Sequence, residues 1–253
     1  METNIPNSLF KYFSYNSNAR AALEKRSIWF SSPMTFNDPY DCGLTIDFEK
    51  YTQREKEFYD AIYHSNDQSR KEAAISMGIM PGWVISVAVE ELKNRFENIG
   101  VCSFSEDNLN ILMWSHYADE HKGFCVEYYC EEGSYLRNHI RKINYVNKIP
   151  SITIEEFNRY GENEKKNYIY ELALFKSKDW EYEKEWRLIT DYNNKYCNDE
   201  IKIKAIYFGA RFEKSYIDEV NKIISYESTC GKIKLYNVVK KNNAFSLALQ
   251  EIW

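Results

Sequence analysis

The sequence predicts an α+β fold: a single domain over residues 1–253, with a mixed or largely antiparallel central sheet, peripheral helices and a helical insertion over residues 48–98. Two observations support this prediction. Short apolar and aromatic runs typical of strands lie toward both ends of the chain. Between them, residues 51–98 are charged and repeat apolar residues at helical spacing, as at Val84, Val87, Ala88 and Leu92. Strand-rich ends around a helical block are typical of α+β proteins.

The first fifty residues predict a strand, a helix, a second strand and a loop. The strands are Leu9–Ser14 and Ile28–Ser31, and the helix is Asn16–Lys25. The loop SSPMTFNDPYD then runs from Ser31 to Asp41, where two prolines interrupt regular structure. Its Asn37 and Asp38 favour turns, because their side chains bond to nearby backbone. The loop suits contact with a ligand and equally suits a well-ordered turn.

The stretch Val101–Tyr129 concentrates unusual residues between two predicted strands. We predict a helix over Ile111–His121, capped by Asp107 or Asn108 and ended by Gly123 in the left-handed conformation. Trp114, Tyr117 and His121 then share one helix face, since about 3.6 residues make a turn. Such rings are either core residues with hydrogen-bond partners or part of a functional site.

A pair of glutamates precedes an apolar strand predicted over Glu185–Thr190. In an extended segment, Glu183 and Glu185 lie on one face, about 7 Å apart along the backbone. Arg187 lies on the same face and can hold a carboxylate or phosphate through two hydrogen bonds. The alternative is a cross-strand ladder of ion pairs on a wet face. Lys176 precedes this segment in the chain, and its ammonium could bind a phosphate or be solvated by water.

Composition excludes several protein classes. With 33 basic and 38 acidic residues, the net charge of −5 argues against nonspecific coating of nucleic acid. No run of about 18 apolar residues is present, so we expect no membrane span. The N-terminus lacks the pattern of a secretory signal. The six cysteines match no zinc pattern, which favours buried free thiols in the cytoplasm and no metal.

Familiar catalytic motifs are absent, including the glycine-rich phosphate loops of kinases and dehydrogenases. His116 and His121 are five residues apart, so on a regular helix they diverge by about 140°. That spacing disfavours a shared metal ion. Either ring could instead act as an acid or base in catalysis.

Four motifs together resemble a bacterial family known as domain of unknown function 2971. They are FSSPMTFNDPYD, CSFS, LMWSHYADEHKGFCVEY and KSKDWEYEKEWRLI, in the order and rough spacing of that family, from about Leu9 to Gly209. The family name itself implies little about function.

The order of elements also resembles the ADP-ribosyltransferase layout, with a polar residue in the first strand, serines ending a later strand, and a late Glu-x-Glu. This resemblance implies NAD as substrate, Glu185 as the catalytic residue acting on the nicotinamide ribose, and Glu183 as its companion. Two features depart from the layout. The first strand offers Lys11 and Tyr12 where Arg or His is expected, and Phe30–Ser32 or Cys102–Ser105 would replace a Ser-Thr-Ser motif.

Three functions follow as hypotheses. The first is an NAD-consuming transferase, a toxin or phage-defence effector, that passes ADP-ribose to a protein or nucleic acid. The second is a module that senses a nucleotide or phosphate without turnover, and the third is a metal-independent RNase using His116 or His121. We expect the loop, the helix face and the glutamates to converge on one cleft. Candidate ligand-binding residues are Lys11, Tyr12, Ser31, Ser32, Asn37, Asp38, Ser103, Ser105, Trp114, Tyr117, Lys176 and Arg187.

Overall fold

An eight-stranded mixed sheet dominates the computed structural model, which confirms the predicted α+β class. The chain divides into two units with dense internal contacts. The first comprises Met1–Ser31, Gly100–Tyr145 and Lys178–Trp253, and the second Ser32–Ile99 and Val146–Ser177. The structure describes residues 4–42, 45–46, 69, 82–152, 159–197, 201–225 and 233–252.

The described strands, in chain order, are β1 (Ser8–Phe13), β2 (Ile28–Phe30), β3 (Thr45–Ile46), β4 (Gly100–Ser105), β5 (Phe124–Tyr129), β6 (Arg141–Lys142), β7 (Asn144–Val146), β8 (Ser151–Ile152), β9 (Phe175–Ser177), β10 (Glu185–Thr190), β11 (Lys195–Cys197), β12 (Ile203–Phe208), β13 (Lys234–Lys240) and β14 (Leu247–Glu251). The described α-helices are α1 (Ser17–Glu24), α2 (Gly82–Asn98), α3 (Ile111–Tyr117), α4 (Tyr135–His139), α5 (Glu162–Leu172) and α6 (Ser215–Ser225). Short 3-10 helices lie at Pro33–Thr35 and Lys178–Glu183.

The strand order in the large sheet is β14-β13-β12-β5-β1-β4-β10-β6. Only the β12–β13 pair is parallel among these described neighbours, and α6 provides the crossover that a parallel pair requires. Strand β1 pairs with β5 at six positions but with β4 at one, where Phe10 lies opposite Ser105. No further β1–β4 pair is found among the described residues. Nearer the start of β4, Val101 pairs instead with Ser31, which follows β2.

Each face of this sheet has its own apolar cluster, because successive side chains of a strand point to opposite faces. On one face, α1 and α6 pack over a cluster that includes Phe104, Val126, Trp186 and Ile206. On the other face, α3 packs over Tyr12, Cys125 and Tyr207 through its buried Met113 and Trp114. The two faces together make the core of the first unit.

The second unit contains α2 and α5, which lie against each other. Their polar sides are joined by ion pairs: Glu91 binds Lys165 at 3.1 Å, and Arg95 binds Glu162 at 2.6 Å. Helix α2 forms the end of the predicted insertion over 48–98. Within that range, residues 48–68 and 70–81 lie outside the described residues, so the extent of the insertion stays a prediction.

Candidate functional site

Glu185 and Arg187 form a buried ion pair at the start of β10. Arg187 donates from Nε to Glu185 Oε1 at 2.6 Å and from a terminal nitrogen to Oε2 at 3.1 Å. Both side chains are almost fully removed from solvent, with exposures of 0% and 5%. Glu185 is thus in an ion pair, but the pair lies within one strand and inside the protein, not across strands on a wet face. The catalytic role of Glu185 stays a prediction.

Glu183 is also buried, and Tyr117 of α3 donates to its Oε1 at 2.7 Å. The extended segment predicted between Glu183 and Glu185 is not found. Glu183 ends the 3-10 helix Lys178–Glu183, and Lys184 has a left-handed φ of 47° before β10 begins. A non-glycine residue in this conformation carries strain of about 1–3 kcal/mol. The surrounding contacts must therefore outweigh that cost to hold both glutamates in place.

A cavity of about 400 Å³ opens in the first unit near the point where β1 leaves β4. We call it the β1 cavity. Four predicted ligand-binding residues line it: Lys11, Tyr12, Ser31 and Tyr117. Its volume lies in the range of small-molecule sites, which run from about 300 to 1,000 Å³. One of these lining residues, Tyr117, also donates its hydroxyl to the Glu183 carboxylate.

Lys11 and Tyr12 are neighbours on β1, so their side chains lie on opposite faces of the sheet and have different partners. The Lys11 ammonium donates to the Ser103 carbonyl at 3.1 Å, and it lies 5.8 Å and 5.7 Å from the ring centres of Phe13 and Phe104. The Tyr12 hydroxyl donates to the Asp107 carbonyl at 2.6 Å, and burial raises its pKa far above the usual value. The Tyr12 hydroxyl is therefore protonated and already bonded, and its ring packs against Trp114 at a centre-to-centre distance of 5.2 Å.

The predicted serines of β4 support this region. Ser103 is registered opposite Arg187, and its side chain is partly exposed. Ser105 is buried; its hydroxyl donates to the Glu183 carbonyl at 2.6 Å and accepts from the Asp107 amide at 3.1 Å. These bonds make Ser105 a support for the Glu183 backbone.

Helix α3 ends earlier than predicted. It begins after Asn110, whose side chain accepts from two first-turn amides, and it stops at Tyr117. The chain then turns through three consecutive left-handed residues, Asp119, Glu120 and His121. Gly123 does not adopt the left-handed conformation. It is needed for space, since a Cβ there would lie 2.0 Å from the Phe13 carbonyl.

His121 was predicted to be the last residue of α3. It lies instead in the turn after the helix, where its side chain packs back against α3. Its ring stacks on Trp114, with 6.3 Å between the ring centres and 15° between the ring planes. Its Nε2 lies 3.2 Å from the Ser115 hydroxyl. Burial and the nearby cations Arg211 and Lys240 lower the pKa of His121, so its ring is neutral at pH 7. Trp114 is fully buried and donates to the Asn108 carbonyl. His116 is exposed and touches the edge of Trp180.

The remaining predicted residues belong to the second unit. Ser32 caps the 3-10 helix Pro33–Thr35 and donates to the Glu97 carbonyl. Asn37 is exposed, and Asp38 accepts from the Tyr40 amide at 2.9 Å, which makes the predicted turn. Buried Lys176 pairs with Asp41 at 3.2 Å and lines a separate cavity of about 240 Å³. Convergence of this loop with Tyr117 and Glu185 stays a prediction.

The β1 cavity also contains residues that the sequence interpretation missed. Trp29 and Tyr196 line it, together with Asn16 and Asn18. Tyr196 lies on β11, a strand that no sequence pattern predicted. Trp29 had a usable signal, since it alternates with the buried residues Ile28 and Phe30 and must point away from the core.

The arrangement as a whole offers an ammonium, hydroxyl groups and aromatic rings around one cavity, with a buried carboxylate behind Tyr117. In the described ranges, no cluster of three or more His, Cys, Asp or Glu residues could hold a metal ion. Nor does any helix there combine the length and the apolar character needed to cross a membrane.

Comparisons with known proteins bear on the family. No curated protein and no solved structure matches the chain. Residues 113–188 match the model of a family described as "Protein of unknown function (DUF2971)". The matched stretch runs from α3 to β10, so it includes Tyr117, Glu183 and Arg187. Over these residues, the resemblance of the chain to the family of unknown function 2971 is confirmed.

Proposed function

We propose that the protein binds a nucleotide or another phosphorylated small molecule in the β1 cavity. The observation that carries this proposal is the position of the Lys11 ammonium. Lys11 lines the cavity, and its ammonium lies 5.8 Å and 5.7 Å from the ring centres of Phe13 and Phe104, on a protein whose net charge is −5. The positive charge is therefore a local feature of this cavity and does not reflect a generally basic surface.

A cation in such surroundings favours an anionic ligand. Burying an ammonium among apolar groups costs free energy unless the charge is paired. The Ser103 carbonyl accepts one of its hydrogens, and the Cys102 thiol is a second neighbour. An ammonium has three donors, so one remains for a phosphate oxygen when the partners among the described residues are counted. Ser31 and Asn16 add polar groups on the cavity wall.

Binding without turnover is the function that this geometry supports best. The carboxylate predicted to be catalytic, Glu185, is held in two hydrogen bonds by Arg187 and is almost inaccessible. A ligand in the cavity would meet Lys11 and Tyr117 first. The free thiols buried in both units suit a reducing cytoplasm as its setting.

Cleavage of NAD is the second candidate, favoured by the hydrogen bond from Tyr117 to Glu183. In this reaction the bond between ribose C1′ and the nicotinamide nitrogen breaks, and nicotinamide leaves with the electron pair. Water or an acceptor nucleophile then adds to C1′ and loses its proton. A nearby carboxylate stabilises the positive charge that develops on the sugar. Such an enzyme would serve as a toxin or phage-defence effector acting on a protein or nucleic acid. The RNase hypothesis has no comparable support.

Binding can be tested by calorimetry and thermal unfolding with NAD, ADP-ribose, ATP and inorganic phosphate. A ligand at 100 times its Kd should stabilise the wild type by about 2.7 kcal/mol. Lys11→Ala should weaken binding at least tenfold, whereas Lys202→Ala, which removes an exposed lysine outside the cavity, should not. If no ligand binds, or if Lys11→Ala binds as tightly as the wild type, the proposal is wrong.

Turnover is tested separately by nicotinamide release and by mass spectrometry of candidate acceptors. Under the second candidate, Tyr117→Phe and Glu183→Gln should each slow release by about a hundred- to a thousandfold, the range for losing one electrostatic contact in a transition state. Binding of NAD with no release of nicotinamide would leave a binding module. RNA cleavage that persists in EDTA would instead support the RNase hypothesis.

A further inference from the structure

Trp29 and Tyr196 form an aromatic wall of the β1 cavity. They are direct partners in the register of β2 and β11, and both residues line the cavity. Their ring centres are 4.9 Å apart with an angle of 66° between the planes, a favourable edge-to-face arrangement. We call this pair the aromatic wall.

Trp29 remains exposed although its neighbours are buried. Its relative exposure is 37%, whereas Ile28 and Phe30 on the opposite side of β2 are at 2% and 1%. A tryptophan ring left partly in water retains apolar area that a ligand could cover. Phe245, by contrast, is an exposed aromatic residue that lines neither of the two cavities described above.

Tyr196 makes two contacts besides the one with Trp29. Its hydroxyl donates to the Asn18 carbonyl at 3.4 Å, and the Lys25 ammonium lies 5.8 Å from its ring centre. These contacts fix the ring against which Trp29 packs. A wall fixed before the ligand arrives loses little side-chain entropy on binding.

From this geometry we infer that the cavity selects ligands that carry a planar ring, namely mononucleotides or one half of a dinucleotide, over ring-free phosphates. This inference rests on the proposed function. The base or nicotinamide ring lies against the aromatic wall, and the phosphate lies at Lys11. Every base offers a π-face, so stacking on Trp29 recognises rings without requiring one particular base. A volume of about 400 Å³, near the lower end of the range for small-molecule sites, suits a ligand of this size.

The experiment compares ring-bearing with ring-free probes by calorimetry. The probes are AMP and nicotinamide mononucleotide on one side, and ribose 5-phosphate and inorganic pyrophosphate on the other. Trp29→Ala should weaken the ring-bearing probes by about ten- to a hundredfold, the usual effect of losing one stacking partner. It should change the affinity for ribose 5-phosphate by less than twofold. Trp29→Phe should keep most of the affinity, because an aromatic face remains.

Two further variants separate ring recognition from a structural role. Trp29→Leu keeps apolar bulk but has no aromatic face, so it should lose affinity for rings while unfolding at the wild-type temperature. Phe245→Ala removes an exposed ring outside the cavity and should change no affinity. Equal weakening of both probe classes by Trp29→Leu, or no weakening, overturns the inference while the proposed function stands. Failure of the wild type to bind any probe overturns both.

Discussion

The pairing of Glu185 with Arg187 determines how either residue can be studied. Each charge offsets the cost of burying the other, and two hydrogen bonds fix their geometry. Replacing one member therefore affects stability as well as any chemistry. Activity measured on Glu185→Gln is therefore interpretable only at matched stability.

We predict that Glu185→Gln lowers the free energy of unfolding by about 3–5 kcal/mol, the usual cost of removing one member of a buried ion pair. Urea denaturation measures this value. Glu181→Gln, at an exposed position in the preceding 3-10 helix, is the matched control and should change it by less than about 0.5 kcal/mol. If Glu185→Gln unfolds at the wild-type urea concentration, the pair contributes no stability. A stabilising role would then not explain the buried Glu185, and its predicted catalytic role would be the better explanation.

The lowered pKa of His121 predicts a pH dependence. Burial comes first among its causes, followed by Arg211 and Lys240, and all three disfavour the charged ring. The unfolded chain titrates near 6.5, so folding favours the neutral ring. This contribution is complete above about pH 6.5 and is lost as the pH falls through the lower folded value. Stability should therefore fall on acidification more steeply in the wild type than in His121→Gln.

Titration of the His121 ring by NMR gives a direct check. A folded pKa for His121 at or above 6.5 would contradict the predicted direction. Urea denaturation at pH 7.5 and pH 5.5 then shows whether the pKa shift accounts for the difference in stability.

At the scale of elements, the turn after α3 depends on two glycines. The turn returns to the strands through backbone bonds: the Arg211 amide donates to the His121 carbonyl at 3.0 Å, and the Gly209 amide donates to the Gly123 carbonyl at 2.9 Å. A Cβ at Gly209 would lie 2.2 Å from the His121 carbonyl oxygen. Backbone cannot move as a flexible side chain can, so this close approach requires glycine.

We therefore predict that Gly209→Ala destabilises the protein by about 1–3 kcal/mol or more, the cost of overpacking. It should also displace the His121 ring, which would show as a change in the NMR shifts of that ring. Gly161→Ala is the comparison, since its nearest neighbour would be 3.7 Å away. Equal, small effects of the two substitutions would mean that the turn yields easily and does not position His121.

The same turn shows where sequence patterns stop being informative. Periodicity and propensity located α3 and β5 correctly, because both signals are local. They extended the helix to His121, because nothing local reveals that three residues will adopt the left-handed conformation. That conformation is stabilised by backbone bonds to Gly209 and Arg211, about ninety residues later in the chain. Tertiary contacts of this kind override local preference.

At the scale of the whole molecule, the large sheet is assembled from three separate parts of the chain. Strand β1 pairs with β5 and β4, and β4 pairs with β10, so residues about eighty to a hundred and twenty positions apart become neighbours. The sequence predicted the α+β class and most strands of this sheet, but not the strand order. The candidate site was predicted in part for the same reason: Lys11, Tyr12, Ser31 and Tyr117 were predicted, whereas Tyr196 required the pairing of β2 with β11. The alternation around Trp29 shows only that its side chain points away from the core.

The buried thiols provide a test of this assembly. Cys102, Cys125 and Cys130 lie in the first unit and Cys42 in the second, each with at most 2% exposure. Burial raises the pKa of Cys102 and Cys125, and that of Cys130 to about 11, so these thiols are protonated and unreactive in the folded protein. We predict that a thiol reagent modifies these four cysteines only when the protein unfolds.

Pulsed thiol labelling at increasing urea, read by mass spectrometry of peptides, follows each cysteine separately. Because Cys102 and Cys125 lie on strands of one sheet and Cys130 directly follows β5, the three should become reactive at the same urea concentration. Cys197, which is only partly buried, is the control and should react in native protein. Reaction of Cys102 at a lower urea concentration than Cys125 would show that β4 and β10 separate from β1 and β5 before global unfolding. That result would locate the weakest line of the sheet at the single β1–β4 bridge, beside the β1 cavity.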